Sequence, residues 1–177
     1  MRKLKLEELD RISIAEFQEK EKQPLALVLD NVRSALNVGS AFRTADAFAL
    51  AHIYLCGITA QPPHREILKT ALGATEAVDW TYTATVEEAI TSLKAAGYQI
   101  WAVEQAAERT WLQDYQPTDN TPIALVFGNE VNGVSQSVMD MADGALEIPQ
   151  FGTKHSLNVS VSLGITVWEV LRKMGRV

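Results

Sequence analysis

The sequence predicts an α/β domain with a mostly parallel sheet flanked by helices. Three observations carry that expectation. Short, continuous apolar runs of strand length recur, LALVL at 25–29 and IALVF at 123–127, as doubly covered parallel strands require. Segments with helical spacing and recognisable start and stop residues lie between such runs. The two alternate from residue 24 onward, which is the signature of strands joined by crossover helices. With 177 residues and 47% hydrophobic content, the chain has enough apolar side chains for one core, and it reads as a lead-in helix in 1–22 followed by one domain over 23–177.

In order along the chain, 7–21 carries Leu9, Ile12 or Ser13, and Phe17 at helical spacing and predicts a short amphipathic helix. The strand at 25–29 is followed by a helix over 40–50 and a strand over 52–58. A loop containing Pro62 and Pro63 leads to a helix at 65–72, closed by Gly73. Thr85 and Glu88 have capping-box spacing and open a helix that ends at Gly97. A strand at 98–103 precedes a long connection, 104–121, with Pro117, Asp119 and Asn120 and room for one helical turn. A strand at 123–127, a helix at 135–142 and a strand at 145–149 follow. The closing helix spans 157–174, with Ser156 as its N-cap and Asn158 in its first turn. Its stripe Leu157, Val161, Ile165, Trp168 and Leu171 is expected to face the core, and a second stripe, Leu163, Val167, Val170 and Met174, to face another subunit.

Composition excludes several function classes. The one cysteine, Cys56, lies in an apolar run and reads as core, which leaves no internal disulfide and no thiol cluster. His52, His64 and His155 lack metal-ligand spacing, so no metal is expected. Neither a G-x-G-x-x-G after a strand nor a G-x-x-x-x-G-K-[ST] occurs, and Ser156 is not on a G-x-S-x-G elbow. No apolar stretch approaches the roughly 20 residues of a membrane helix and the N-terminus has no signal-peptide core, so the expected location is the cytoplasm. A net charge of −6 argues against nucleic-acid binding through overall positive potential. Local patches remain: Arg2, Lys3 and Lys5 at one end, and Arg172, Lys173 and Arg176 at the other, the latter also explained as cations at a helix C-terminus.

Ligands of parallel α/β sheets bind beyond the carboxyl ends of the strands. That singles out the loops 30–39, 128–135 and 150–158. In the first, Gly39 suggests a tight bend after Asn37, and a helix starting near Ser40 would combine its N-terminus with Arg43 to hold an anion. The plainer alternative is that Ser40 caps the helix and Arg43 is solvated. In the second, Gly128 lacks a Cβ and would let a ligand approach the backbone, with Glu130 and Gly133 in a compact turn; an exposed carboxylate on a Gly/Asn turn is the alternative. In the third, Gly, Thr, Lys and His lead into a helix that opens with Ser156 and Asn158, polar residues that packing alone does not call for.

Taken together, Asn37 with Arg43, Gly128-x-Glu130-x-x-Gly133, and Ile148-Pro149 followed by Ser156-Leu157-Asn158-Val159-Ser160 resemble the three ordered motifs of the SpoU (TrmH-like) RNA ribose methyltransferases of the SPOUT superfamily. The resemblance runs from about Pro24 to Leu171. Val131 stands where many members carry glycine. The resemblance implies a C-terminal deep trefoil knot, a homodimer, S-adenosyl-L-methionine as donor and tRNA or rRNA as partner. It places donor contacts at Gly128, Ile148 and Leu157, and active-site roles at Asn37, Arg43, Glu130, Ser156 and Asn158. Arg43 is proposed as base in this family, but an ordinary guanidinium is neutral in about one molecule in a million at pH 7, which favours phosphate anchoring. Two other expectations compete: an inactive RNA-binding or assembly module of the same fold, and a methyltransferase acting on a base nitrogen.

Overall fold

The computed structural model describes residues 1–9, 12–118 and 121–177. The strands β1 (Gln23–Asp30), β2 (Leu50–Cys56), β3 (Trp80–Thr83), β4 (Gln99–Val103), β5 (Thr110–Trp111), β6 (Ile123–Phe127) and β7 (Gly144–Glu147) form one seven-stranded sheet. Its order is β3-β2-β1-β6-β4-β7-β5, and every ladder is parallel. β6 is laid between β1 and β4, and β7 between β4 and β5, so both late strands enter between neighbours contributed by earlier chain.

Parallel strands need crossovers that cover both faces. The helices α1 (Ile14–Glu19), α2 (Ala35–Ala47), α3 (Arg65–Ala71), α4 (Ala74–Ala77) and α7 (Val159–Lys173) cover one face, while α5 (Val86–Ala95) and α6 (Gln136–Met141) cover the other. Strand periodicity sorts the side chains by size. Leu25, Leu27, Leu29, Ile123, Leu125 and Phe127 enter the first core, and Ala26, Val28, Ala124 and Val126 the second. Cys56 is buried in the second core, and burial pushes its thiol pKa up to about 11.

Several boundaries differ from the sequence expectation for identifiable reasons. The lead-in segment is a 3-10 turn, Leu6–Glu8, and then α1; residues 10 and 11 of the expected helix lie outside the described residues. α1 begins in a complete capping box, with Ser13 N–H donating to Glu16 Oε2 at 2.7 Å and Glu16 N–H to Ser13 Oγ at 3.2 Å. The Thr85 box is only half formed: Glu88 N–H donates to Thr85 Oγ1 at 3.4 Å, but the Glu88 carboxylate accepts from Ala84 N–H instead.

The helix expected over 40–50 is α2, which starts five residues earlier on the N-cap Ser34 and stops before Leu50. Gly39 therefore makes no bend. A Cβ there would lie 2.1 Å from Thr70 Oγ1 and 2.4 Å from the Ile67 carbonyl, so glycine is what lets α2 pack closely on α3. The sequence reading also lacked α4 and β3. The connection 104–121 does contain one helical turn, Leu112–Asp114, together with β5; residues 119 and 120 lie outside the described residues.

α7 is capped by Asn158, whose Oδ1 accepts from Ser160 N–H at 2.9 Å, so the N-cap is not Ser156. Its two stripes are exchanged relative to expectation. Leu163, Val167, Val170 and Leu171 are buried, while Val161, Ile165 and Trp168 remain 49%, 41% and 51% exposed. Leu171 alone of the first stripe faces the core; Met174 of the second packs at its margin. No helix among the described residues is long and apolar enough to cross a membrane.

Candidate functional site

The chain leaves the carboxyl ends of β1, β6 and β7 through loops that meet around one carboxylate. Glu130 accepts from the Arg33 N–H at 2.8 Å, the Ser34 N–H at 3.0 Å and Asn37 Nδ2 at 3.0 Å. Because Ser34 caps α2, this places a negative charge at the start of a 13-residue helix, the end that favours anions. Burial opposes ionisation of Glu130, but the N–H donors of Arg33, Ser34 and Glu130 itself, with the Asn37 amide, outweigh it and hold its pKa below the ordinary value. Asn158 Nδ2 donates to Asn37 Oδ1 at 3.3 Å. A relay Asn158 to Asn37 to Glu130 thus joins the three loops across sequence separations of 121 and 93 residues.

The Glu130 turn is held by Asn129. Asn129 and Gly133 exchange backbone hydrogen bonds of 3.0 and 2.9 Å, and Asn129 Oδ1 accepts from the N–H groups of Val131 and Asn132. The side chain of Val131 is exposed. Gly128 owes its identity to this turn: a Cβ there would lie 2.1 Å from Gly133 C and 2.2 Å from Val134 N. The close approach is by the chain's own backbone, where the sequence had suggested a ligand.

A cleft of about 1110 Å³ opens beyond β4, β6 and β7, lined by Gly128, Glu130, Ile148, Ser156, Leu157 and Asn158. Asn37 is buried behind Glu130 and reaches the site through the relay. Arg43 does not join them. It lies in the interior of α2 on an exposed side, in a separate groove of about 450 Å³ with Ser40, Thr44, Phe48, Lys69 and Thr70. The expected pairing of Arg43 with a helix N-terminus fails because that terminus lies eight residues earlier, at Ala35. Four carboxylates line the cleft, those of Glu104, Glu108, Glu130 and Glu147, and its described lining includes no Lys or Arg. Arg109, outside the lining, bridges Glu147 at 2.7 Å. Among the described residues no three His, Cys, Asp or Glu are grouped as a metal would require.

Sequence reasoning missed a supporting hub at the end of β1. Asp30 is 1% exposed and accepts from Ser135 N–H at 3.0 Å and Asn31 Nδ2 at 2.8 Å. Asn31 has φ 55, its carbonyl accepts from Asn129 Nδ2 at 2.8 Å and its Oδ1 from Ile58 N–H at 3.1 Å. The available signal was an Asp-Asn pair directly after an apolar strand, since Asn tolerates positive φ.

Residues 24–168 match the model of the SpoU rRNA Methylase family. The chain belongs to this family. Its relatives include the 23S rRNA (guanosine-2'-O-)-methyltransferase RlmB of Vibrio parahaemolyticus, 32% identical over 166 residues, which cover 94% of this chain and 66% of that one. The tRNA (guanosine(18)-2'-O)-methyltransferase of Thermus thermophilus is 31% identical over 94% of this chain and 84% of its own length. Among solved SpoU structures, the Aquifex aeolicus TrmH/SpoU tRNA modifying enzyme superposes with a TM-score of 0.79 at 27% identity, over 92% of this chain and 82% of that one. The AdoMet-bound rRNA methyltransferase of Sinorhizobium meliloti gives 0.79 at 29% identity over 88% and 59%. This chain spans 60% to 66% of the length of the first curated relatives it matches.

Proposed function

We propose that this chain is an S-adenosylmethionine-dependent RNA 2'-O-ribose methyltransferase acting on tRNA or rRNA. The observation that carries the reading is the Asn158, Asn37 and Glu130 relay on the wall of the anionic cleft. The cleft fits the donor's chemistry: a pocket lined by four carboxylates and no Lys or Arg suits a ligand with a cationic centre better than a nucleoside polyphosphate. When bound, S-adenosylmethionine supplies a methyl group already activated by its positive sulfur. Gly128, Ile148 and Leu157 are the assigned donor contacts.

The chain's own residues then have to place the ribose. Glu130 is spoken for by three donors and held anionic, so it anchors Asn37 and does not take a proton. Asn158 uses one amide N–H on Asn37, and its Oδ1 accepts from the N–H and hydroxyl of Ser160. Its second amide N–H and the Ser156 hydroxyl are the groups assigned to orient the ribose oxygens. Arg43 is assigned to an RNA phosphate.

The same reading includes a C-terminal deep trefoil knot, supported by the insertion of β6 and β7 between earlier strands and the return of α7 onto the face that α2 covers. It also includes a homodimer, supported by the exposed stripe of α7, and a cytoplasmic location. The methyltransferase unit is assigned to 23–177, with 1–22 as a lead-in segment.

Incubation with S-adenosylmethionine carrying a tritiated methyl group and total RNA tests the proposal. Label appearing in alkali- and nuclease-resistant dinucleotides is expected. Label in mononucleotides after complete digestion would indicate a base acceptor, and RNA binding without transfer would leave the inactive module.

A further inference from the structure

β4 lies between β6 and β7 in the sheet, and the two residues that follow it, Glu104 and Gln105, bind the loops of both neighbours. Glu104 N–H first donates to the Leu146 carbonyl at 3.1 Å, which fixes the dipeptide against β7. The Glu104 carboxylate then turns the other way. Its Oε2 accepts from Val134 N–H at 2.8 Å, at the end of the Glu130 turn, and its Oε1 accepts from Gln105 N–H at 2.8 Å. Gln105 Nε2 donates to the His155 carbonyl at 2.7 Å, in the loop that carries Ser156 and Asn158. Gly133 is shaped to this contact: at φ +69, a Cβ on it would lie 2.2 Å from Glu104 Oε2.

All five of these residues, Glu104, Gln105, Gly133, Val134 and His155, line the cleft. The two walls they join are irregular loops, and Phe151 to Leu157 in the second is exposed throughout. Such loops have no ladder to fix their separation, so it has to be set by side chains. Within the described residues, these two hydrogen bonds tie the loop after β4 to the walls on either side.

We propose that Glu104 and Gln105 are positioning residues of the donor cleft, clamping the 128–134 and 150–158 loops at the separation that S-adenosylmethionine binding requires. This rests on the donor reading above. The carboxylate is needed at 104 because the two N–H donors meet different oxygens, Val134 on Oε2 and Gln105 on Oε1, and both of those atoms must accept. An amide would turn an NH2 toward one of them. At 105 the requirement is a donor of glutamine's length, since the partner is a carbonyl oxygen.

The experiment is calorimetric titration of the full chain and its variants with S-adenosylmethionine, without RNA, alongside urea unfolding midpoints. Glu104→Gln and Gln105→Ala are each expected to weaken binding about tenfold, the equivalent of one hydrogen bond of ordinary net strength. Gln105 is exposed, so Gln105→Ala should leave the midpoint unchanged and Gln105→Glu, which sets a carboxylate against the His155 carbonyl, should bind at least as poorly as Gln105→Ala. Variant affinities within twofold of the parent would overturn the clamp while leaving the donor reading intact, and so would losses that merely track a lowered midpoint. Failure of the parent chain itself to bind would overturn the donor reading and the clamp with it.

Discussion

Glu130 accepts from three donors and is held below the ordinary carboxylate pKa by them, in spite of the opposing effect of burial. A depressed folded-state pKa has a definite sign in linkage. The contribution is fully present above the unfolded value of about 4.3 and is lost as pH falls through the folded value. The urea midpoint of the parent chain should therefore fall as pH drops below about 4, and Glu130→Gln should show a shallower fall. At pH 7 the same variant should cost about 1 kcal/mol, since part of the site is open to water. Identical acid dependence in both proteins would contradict the account. At this scale Asn158 was legible as a polar residue that packing did not require, whereas Asn37 and Glu130 were singled out by the resemblance of their motifs to a family pattern. Asp30, Asn31, Glu104 and Gln105 were not, because the distant partner of each side chain is a backbone group, at Ser135, Ile58, Val134 and His155 respectively, and a backbone group has no letter in the sequence.

Elements were legible where their apolar pattern was unambiguous, and misjudged where a small residue had two meanings. β6 was expected at its observed residues, 123–127. α2 was expected five residues late because Gly39, read in isolation, marks a bend, whereas here it admits the Ile67 carbonyl and Thr70 hydroxyl of α3. That distinction makes a prediction. Gly39→Ala would raise intrinsic helix propensity by about 1 kcal/mol, yet a methyl at 2.4 Å from a backbone carbonyl forces α2 and α3 apart. Overpacking of this kind costs about 1–3 kcal/mol, so the variant should be destabilised in urea despite the better helix former. Adding Thr70→Ala removes the 2.1 Å conflict but not that with the Ile67 carbonyl, so the double variant should recover only part of the loss. A Gly39→Ala protein more stable than the parent would show that the two helices have slack.

At the scale of the whole molecule, the exchange of stripes on α7 bears directly on how the site is completed. Which of two apolar stripes faces the core cannot be read from one helix, because the choice depends on where α2 and the sheet lie. The outcome leaves Leu157, Val161, Ile165 and Trp168 between 39% and 51% exposed, with the Trp168 ring centroid 6.1 Å from that of Phe48, the C-cap of α2. Phe48 lines the groove that holds Arg43. A patch of that composition is expected to be covered by a partner, and an isologous pairing through it buries the same stripe of both copies. Arg43 would then lie near the second copy, away from the cleft of its own chain. If the proposed homodimer forms through this stripe, Trp168→Glu should shift the protein to monomer in sedimentation and abolish methyl transfer without unfolding it. Complementation separates the two placements of Arg43. Arg43→Ala and Asn158→Ala should each be inactive alone, but co-refolding an equal mixture should restore about a quarter of the parent activity, since half the dimers are mixed and each has one intact site. If Arg43 serves its own cleft, every site in the mixture lacks one residue and no activity returns.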